Sequence, residues 1–155
     1  EDPSIYSIGG IVLACAMLLI AIFYEKLLNI RGFFWISMGV ELIMLITVLI
    51  FILLKTNFLS ALLIYAGYQL TFIFGGYLVR AETLVAEDKK LLKHIDISKQ
   101  LGYLLGLGAS FLFYKTLKYG FNISEAEVQI RILHYFLAFL QSAIILFLVN
   151  SFSWK

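Results

Sequence analysis

Long apolar runs, interrupted only where charged residues gather, organise this chain of 155 residues. Five such stretches stand out: about 4–24 ahead of Glu25-Lys26, 33–54 ahead of Lys55, 57–79 ahead of Arg80, 101–117 after Lys99, and 132–154 ahead of Lys155. A helix needs about 20 apolar residues to cross a bilayer, and these runs are of that order. None alternates apolar and polar residues as a membrane-barrel strand does. In lipid each backbone N–H must find a partner inside its own segment, so the pattern predicts helices. The fourth run has only fourteen residues before Lys115. It reaches the interface if Lys115 and Lys118 lay their stems along it and keep their ammonium groups in water.

The connections carry their own patterns. Between about 81 and 99 acids alternate with bases, and Leu84, Leu91 and Ile95 recur at near-helical spacing. That predicts a short amphipathic helix along the membrane surface. In the loop at about 118–131, Ser124 is placed to cap the last helix, with Glu125 and Glu127 in its first turn. Lys55, Lys115, Lys118 and Arg131 fall on one side, against Lys26, Arg31, Arg80, Lys89, Lys90, Lys93, Lys99 and Lys155 on the other. Positive residues concentrate on the inner face, which puts the N-terminus outside and the C-terminus on the matrix or cytoplasmic side. The expected fold is all-α, a single polytopic transmembrane domain over 1–155 with about five spans. Glu1-Asp2-Pro3 lacks a basic lead-in, so the first span does not look like a cleavable secretory signal.

Composition narrows the function. With 62% hydrophobic and 14% charged residues, and a mean hydropathy of +0.95, the chain is unlike a soluble globular domain. A net charge of +2, with no basic cluster among exposed aromatics, argues against nucleic-acid binding. Cys15 has no second cysteine, so disulfide exchange and iron–sulfur ligation by this chain alone are excluded; it is expected to be a small buried hydrophobe.

Against that background Glu41 is conspicuous, because it is the one charged residue between Phe33 and Leu54. An ionised carboxylate in mid-bilayer costs at least a few kcal/mol, so such a group is expected to exchange a proton or to meet a partner. Ser37, Met38, Met44, Leu45 and Val48 share its face by helical spacing, and that face should meet another helix. Gln69 lies at similar depth in the third run; it can hold water or hydrogen-bond a neighbour but cannot titrate. Tyr65, Tyr68 and Thr71 could extend a hydrated chain from it, with Tyr65 and Gln69 as relay partners of Glu41. Interhelical glue is the alternative role for Glu41 and Gln69 alike. His94 and His134 fall on opposite membrane faces and cannot clasp one cofactor. Gly102, Gly106 and Gly108 offer a small-residue face for close helix packing. No phosphate loop, nucleophile–base pair or dinucleotide fingerprint occurs, so the chain has no self-contained active site and no metal ligand set.

The run Arg31-Gly-Phe-Phe-Trp-Ile-Ser-Met-Gly-Val-Glu41-Leu-Ile-Met-Leu resembles the second helix of subunit 4L of the proton-pumping NADH:ubiquinone oxidoreductase, respiratory complex I. Met38-Gly39-Val40-Glu41-Leu42 fits that family's Gly-x-Glu core without a gap. Coverage is about the first eighty residues. The family's second intramembrane Glu is here replaced, at the best-placed position, by Gln69, and this chain has two additional helices. Five helices with a long third connection are also similar to subunit 6 of the same enzyme. Asn29, then Tyr65-Ala66-Gly67, matches that subunit's spacing with Ile30 in place of its Pro, and Tyr135-Phe-Leu-Ala-Phe-Leu-Gln-Ser matches its last helix. Gly67, Gly75 or Gly76 could permit the π-bulge of that subunit's third helix.

The resemblance implies a non-redox membrane-arm subunit that contributes an intramembrane carboxylate to proton translocation coupled to quinone reduction. It implies no cofactor bound by this chain, with flavin, iron–sulfur clusters and ubiquinone in partner subunits. The partners would be other membrane-arm subunits and the lipid bilayer, and the location the mitochondrial inner membrane or, alternatively, a bacterial plasma membrane. A fragment of a secondary transporter and a purely structural membrane subunit are the competing readings; the absence of an internal repeat counts against the first.

Overall fold

The computed structural model describes residues 4–54 and 58–152. Among them the fold is all-helical: α1 (Ser4–Ile22), α2 (Tyr24–Leu27), α3 (Ile30–Leu53), α4 (Phe58–Ala86), α5 (Lys89–Gly120) and α6 (Ala126–Ser151). Three helices are long and apolar enough to cross a membrane, over Ile30–Leu53, Ser60–Ala86 and Ala126–Ser151. The apolar part of α1, Ser7–Ile22, is shorter, and α5 is diluted by the lysines at both its ends. The expected boundaries at 57 and at 153–154 lie outside the described residues.

Contacts run from α1 to α4, from α4 to α3 and from α3 to α6, with α5 touching α4 more lightly. Little of this surface is buried within the chain. Among the described residues the buried apolar side chains are Phe34, Val48, Tyr77, Ala81, Ala86 and Leu117. Such a core is far too small to hold an all-helical domain in water, where burial of apolar area is the main driving force. Lipid or partner chains must cover the rest. Cys15, expected inside, is exposed, because α1 is packed chiefly along the flank that meets α4.

Two corners fix how the helices meet. Between α1 and α3 the chain turns through α2, and Asn29 caps α3 by accepting a hydrogen bond from Gly32 N at 2.8 Å. Tyr77 of α4, fully buried, donates its hydroxyl to Leu27 O at 2.7 Å and so ties that corner to α4. Between α4 and α5 only Glu87 and Asp88 intervene; Asp88 accepts from Lys90 N at 2.9 Å as the cap of α5. A Glu82–Lys99 ion pair clips the two helices side by side.

This second corner corrects the expected connection. Residues 81–99 do not form a separate surface helix, since α4 continues to Ala86 and α5 starts at Lys89 and runs on without a break. No Pro or strong cap interrupts 89–120, so its charged and apolar halves fuse into one helix of 32 residues, about 48 Å long. That exceeds the roughly 30 Å of a hydrocarbon core, and the charges gather on the excess. Glu87 takes a φ of 46°, a left-handed conformation that disfavours a side chain. Glu87→Gly is therefore expected to raise stability by about 0.5–1 kcal/mol, read as a higher unfolding midpoint by circular dichroism in detergent.

At the start of α6 the cap also differs from expectation. The helix begins at Ala126, Glu125 at the cap position makes no side-chain bond, and Glu127 alone of the two acids lies in the first turn. Gln129 instead folds back, donating from Nε2 to Ile123 O at 2.5 Å. Likewise α4 is α-helical throughout, and its glycines form no π-bulge. Gly67 serves a different purpose: a Cβ there would lie 2.1 Å from Thr47 Oγ1, so its bareness lets α3 and α4 approach.

Candidate functional site

Phe34, Glu41 and Val48 recur every seven residues on α3 and therefore share one face. That face meets α6. Phe34 lies 4.9 Å, ring to ring, from Phe152, and one turn beyond Val48 the Phe51 ring stacks on His134 at 3.8 Å. The two aromatic contacts show that the helices run antiparallel, and Glu41 falls between them. Opposite it stands Gln141, whose Nε2 donates to Glu41 O at 3.1 Å and also to the Glu41 carboxylate. Among the described residues no Lys, Arg or His forms an ion pair with Glu41.

A neutral amide beside a lone carboxyl has a specific chemical capacity. Its NH2 can donate to a carboxylate, and its carbonyl, after a half turn of the amide group, can accept from a carboxylic acid. A cation would favour only the ionised form. Gln141 can therefore accompany Glu41 in either protonation state.

The other expected relay residues are not brought to this pair. Thr47, buried on the α4 side of α3, is six residues from Glu41, which places the two roughly 120° apart around the helix. On α4, Gln69 is two residues from Gly67 and thus roughly 200° round from the α3 contact. Tyr65 shares that far side: its hydroxyl oxygen is 2.6 Å from where a Cβ on Gly9 of α1 would be. Helix phase thus sets Glu41 toward α6 and Tyr65 toward α1. No hydrogen bond joins Glu41 to Gln69 or Tyr65 among the described residues. Thr71 spends its hydroxyl on Tyr68 O within its own helix, at 2.7 Å.

Gln69 nevertheless remains unusual, since its Oε1 is buried and makes no hydrogen bond among the described residues. An unsatisfied buried acceptor costs about 1–3 kcal/mol, which marks the position as a place for a water or a donor. His94 and His134 each donate from Nδ1 to the carbonyl four residues back, Lys90 O and Ile130 O, at 2.6 and 2.8 Å. Among the described residues no three His, Cys, Asp or Glu side chains gather as a metal site would require. Gln141 is the functional residue of this site that is absent from the sequence-based expectation. Its signal was the one that drew notice to Gln69, an amide deep inside an apolar helix.

Comparison with protein families, with characterised proteins and with solved structures gives no match. What fold and composition define is a class: among the described residues the chain is all-helical, with three apolar helices of membrane-crossing length, suited to a membrane location.

Proposed function

We propose that the chain is a non-redox membrane-arm subunit of a proton-pumping NADH:ubiquinone oxidoreductase, in which Glu41 takes up and releases a proton during quinone reduction. The observation that carries this reading is the Glu41–Gln141 pair, an acid at mid-helix between α3 and α6 whose partner suits both of its protonation states. The likeness of residues 31–45 to subunit 4L, and of Tyr65-Ala66-Gly67 to subunit 6, supplies the enzyme. In this reading Gln141 rotates as Glu41 changes charge, and the pair stays hydrogen-bonded through the cycle. Protons arrive from and leave to acids or lysines of adjacent subunits, with the free acceptor of Gln69 and the Tyr65 hydroxyl as a separate polar point on the α1 side of α4.

The same reading places five helices across the membrane, α2 serving only as a corner. Its N-terminus lies outside and its C-terminus on the matrix or cytoplasmic side, as the eight-to-four division of basic residues favours. The membrane is the mitochondrial inner membrane or a bacterial plasma membrane. Flavin, iron–sulfur clusters and ubiquinone belong to partner subunits.

A second reading has an observation of its own: the Gln141 bonds also fasten α3 to α6, as expected of a purely structural subunit. Purifying the native complex from its membrane tests the assignment. Flavoprotein and iron–sulfur subunits are expected to co-migrate with this chain; recovery without any redox partner overturns the proposal.

A further inference from the structure

The seam between α3 and α6 that holds Glu41 has two unlike ends. On one side of the acid, Phe152 of α6 packs against Phe33 and Phe34 of α3, with ring centroids 6.1 and 4.9 Å apart, and Phe34 is buried. Ser37 is the one hydroxyl of α3 between Glu41 and these rings, and α6 has no titratable residue from Gln141 to Phe152. That end offers a proton no carrier. On the other side Phe51 of α3 stacks on His134, which lies seven residues before Gln141 and so shares its face of α6, about 10 Å away along the helix. Nδ1 of His134 is held by Ile130 O, which fixes the ring. Nε2 makes no hydrogen bond, yet among the described residues Gln69 Oε1 is the one unbonded side-chain atom sealed from the surface, so Nε2 is open to the outside. Arg131 and Glu127, the charged residues in the preceding turns of α6, are engaged with each other at 3.0 Å.

We infer that His134 is the proton port of Glu41: its imidazole takes the proton that Glu41 releases along the α3–α6 seam and passes it to the surface at that end, while the phenylalanine end stays closed. This rests on the role proposed above for Glu41, and makes His134 the step between the acid and the group of an adjacent subunit that receives the proton. In the orientation proposed above, the port opens on the outer side. The Glu41 carboxyl gives its proton to the first of a short file of waters, the last water protonates Nε2, and the imidazolium releases that proton to water at the rim. About three waters at hydrogen-bond spacing span the distance. A histidine suits the task because imidazole gains and loses protons around neutral pH, as a hydroxyl, an amide or an ammonium group does not. Val48, buried on the same face of α3 as Glu41, stands between the two and sets the barrier to water.

The test follows hydrogen–deuterium exchange at the Glu41 carboxyl by its infrared C=O stretch, in the full chain reconstituted in phosphatidylcholine nanodiscs. Loss of the band in Glu41→Gln identifies it. His134→Phe, which keeps a ring against Phe51, is expected to slow the exchange roughly a hundredfold, the scale for a positioned proton-transfer group. His134→Ala should be equally slow, and added imidazole should restore most of its rate, which a merely structural role of the ring would not allow. Val48→Ala, which opens room for water in the seam, should exchange faster than the unaltered chain. An unchanged rate in either His134 variant, with the Glu41 band present, overturns the port and leaves the role of Glu41 standing; so does a His134→Ala chain that imidazole fails to accelerate. Absence of a Glu41 band at every pH at which the chain stays folded overturns that role, and the port with it.

Discussion

Glu41→Gln is expected to assemble normally and to lose proton translocation by about a hundredfold, the usual scale for removing a positioned proton-transfer group. Two amides can still pair across α3 and α6, so the contact made by Gln141 with the Glu41 carbonyl and side chain survives in kind. What disappears is the exchangeable proton. The measurement is protons moved per quinone reduced in vesicles, normalised to assembled complex on a native gel. Wild-type coupling in this variant would leave Glu41 with only the structural role. Gln141→Leu supplies the contrasting result. It keeps the acid but removes its one hydrogen-bonding partner on α6, and stranding this half-buried carboxyl costs up to about 1–3 kcal/mol. Reduced amounts of complex are expected there, together with impaired pumping by what remains.

Gly32→Ala should be the most damaging small change in the fold. A Cβ at this position would stand 2.2 Å from Leu27 O and 3.2 Å from the Tyr77 hydroxyl. The first of these is backbone and cannot swing aside. Leu27 O already accepts from Tyr77 at 2.7 Å and from Asn29 N at 2.8 Å, so any retreat loosens the link to α4 and the turn into α3 together. Overpacking of this kind costs about 1–3 kcal/mol, and the loss of the Tyr77 bond adds about 1 kcal/mol. Gly39→Ala, on the same helix but with nothing within 4 Å, should be neutral or stabilising by up to about 1 kcal/mol. Thermal unfolding of the two variants in detergent separates local crowding from helix propensity. Equal midpoints would show that the corner is not packed as described.

Much of the architecture was legible in the chain because it is local. Hydropathy marked the helices of α3, α4 and α6, and seven-residue spacing placed Glu41 with Val48 on one face. The charge pattern at 81–99 predicts a separate surface helix, but no Pro interrupts 89–120, and α5 runs through that stretch without a break. There the turn chemistry decided: a left-handed Glu87 followed by a capping Asp88 reverses the chain within two residues. The relay assembled from Glu41, Gln69 and Tyr65 failed to converge for a geometric reason. Similar depth in the membrane does not imply similar direction, and at 100° per residue two positions in neighbouring helices can share a level yet face opposite ways.

By itself the sequence determined that α3, α4 and α6 are built on apolar runs and that one of them carries an acid near its middle, since these depend on residue type and on near-neighbour spacing alone. Only the tertiary structure decided which helix that acid meets. The bond from Gln141 spans 100 positions of chain, and its existence depends on the rotational phase of α3 against α6, a quantity set by packing on both flanks of α3 at once.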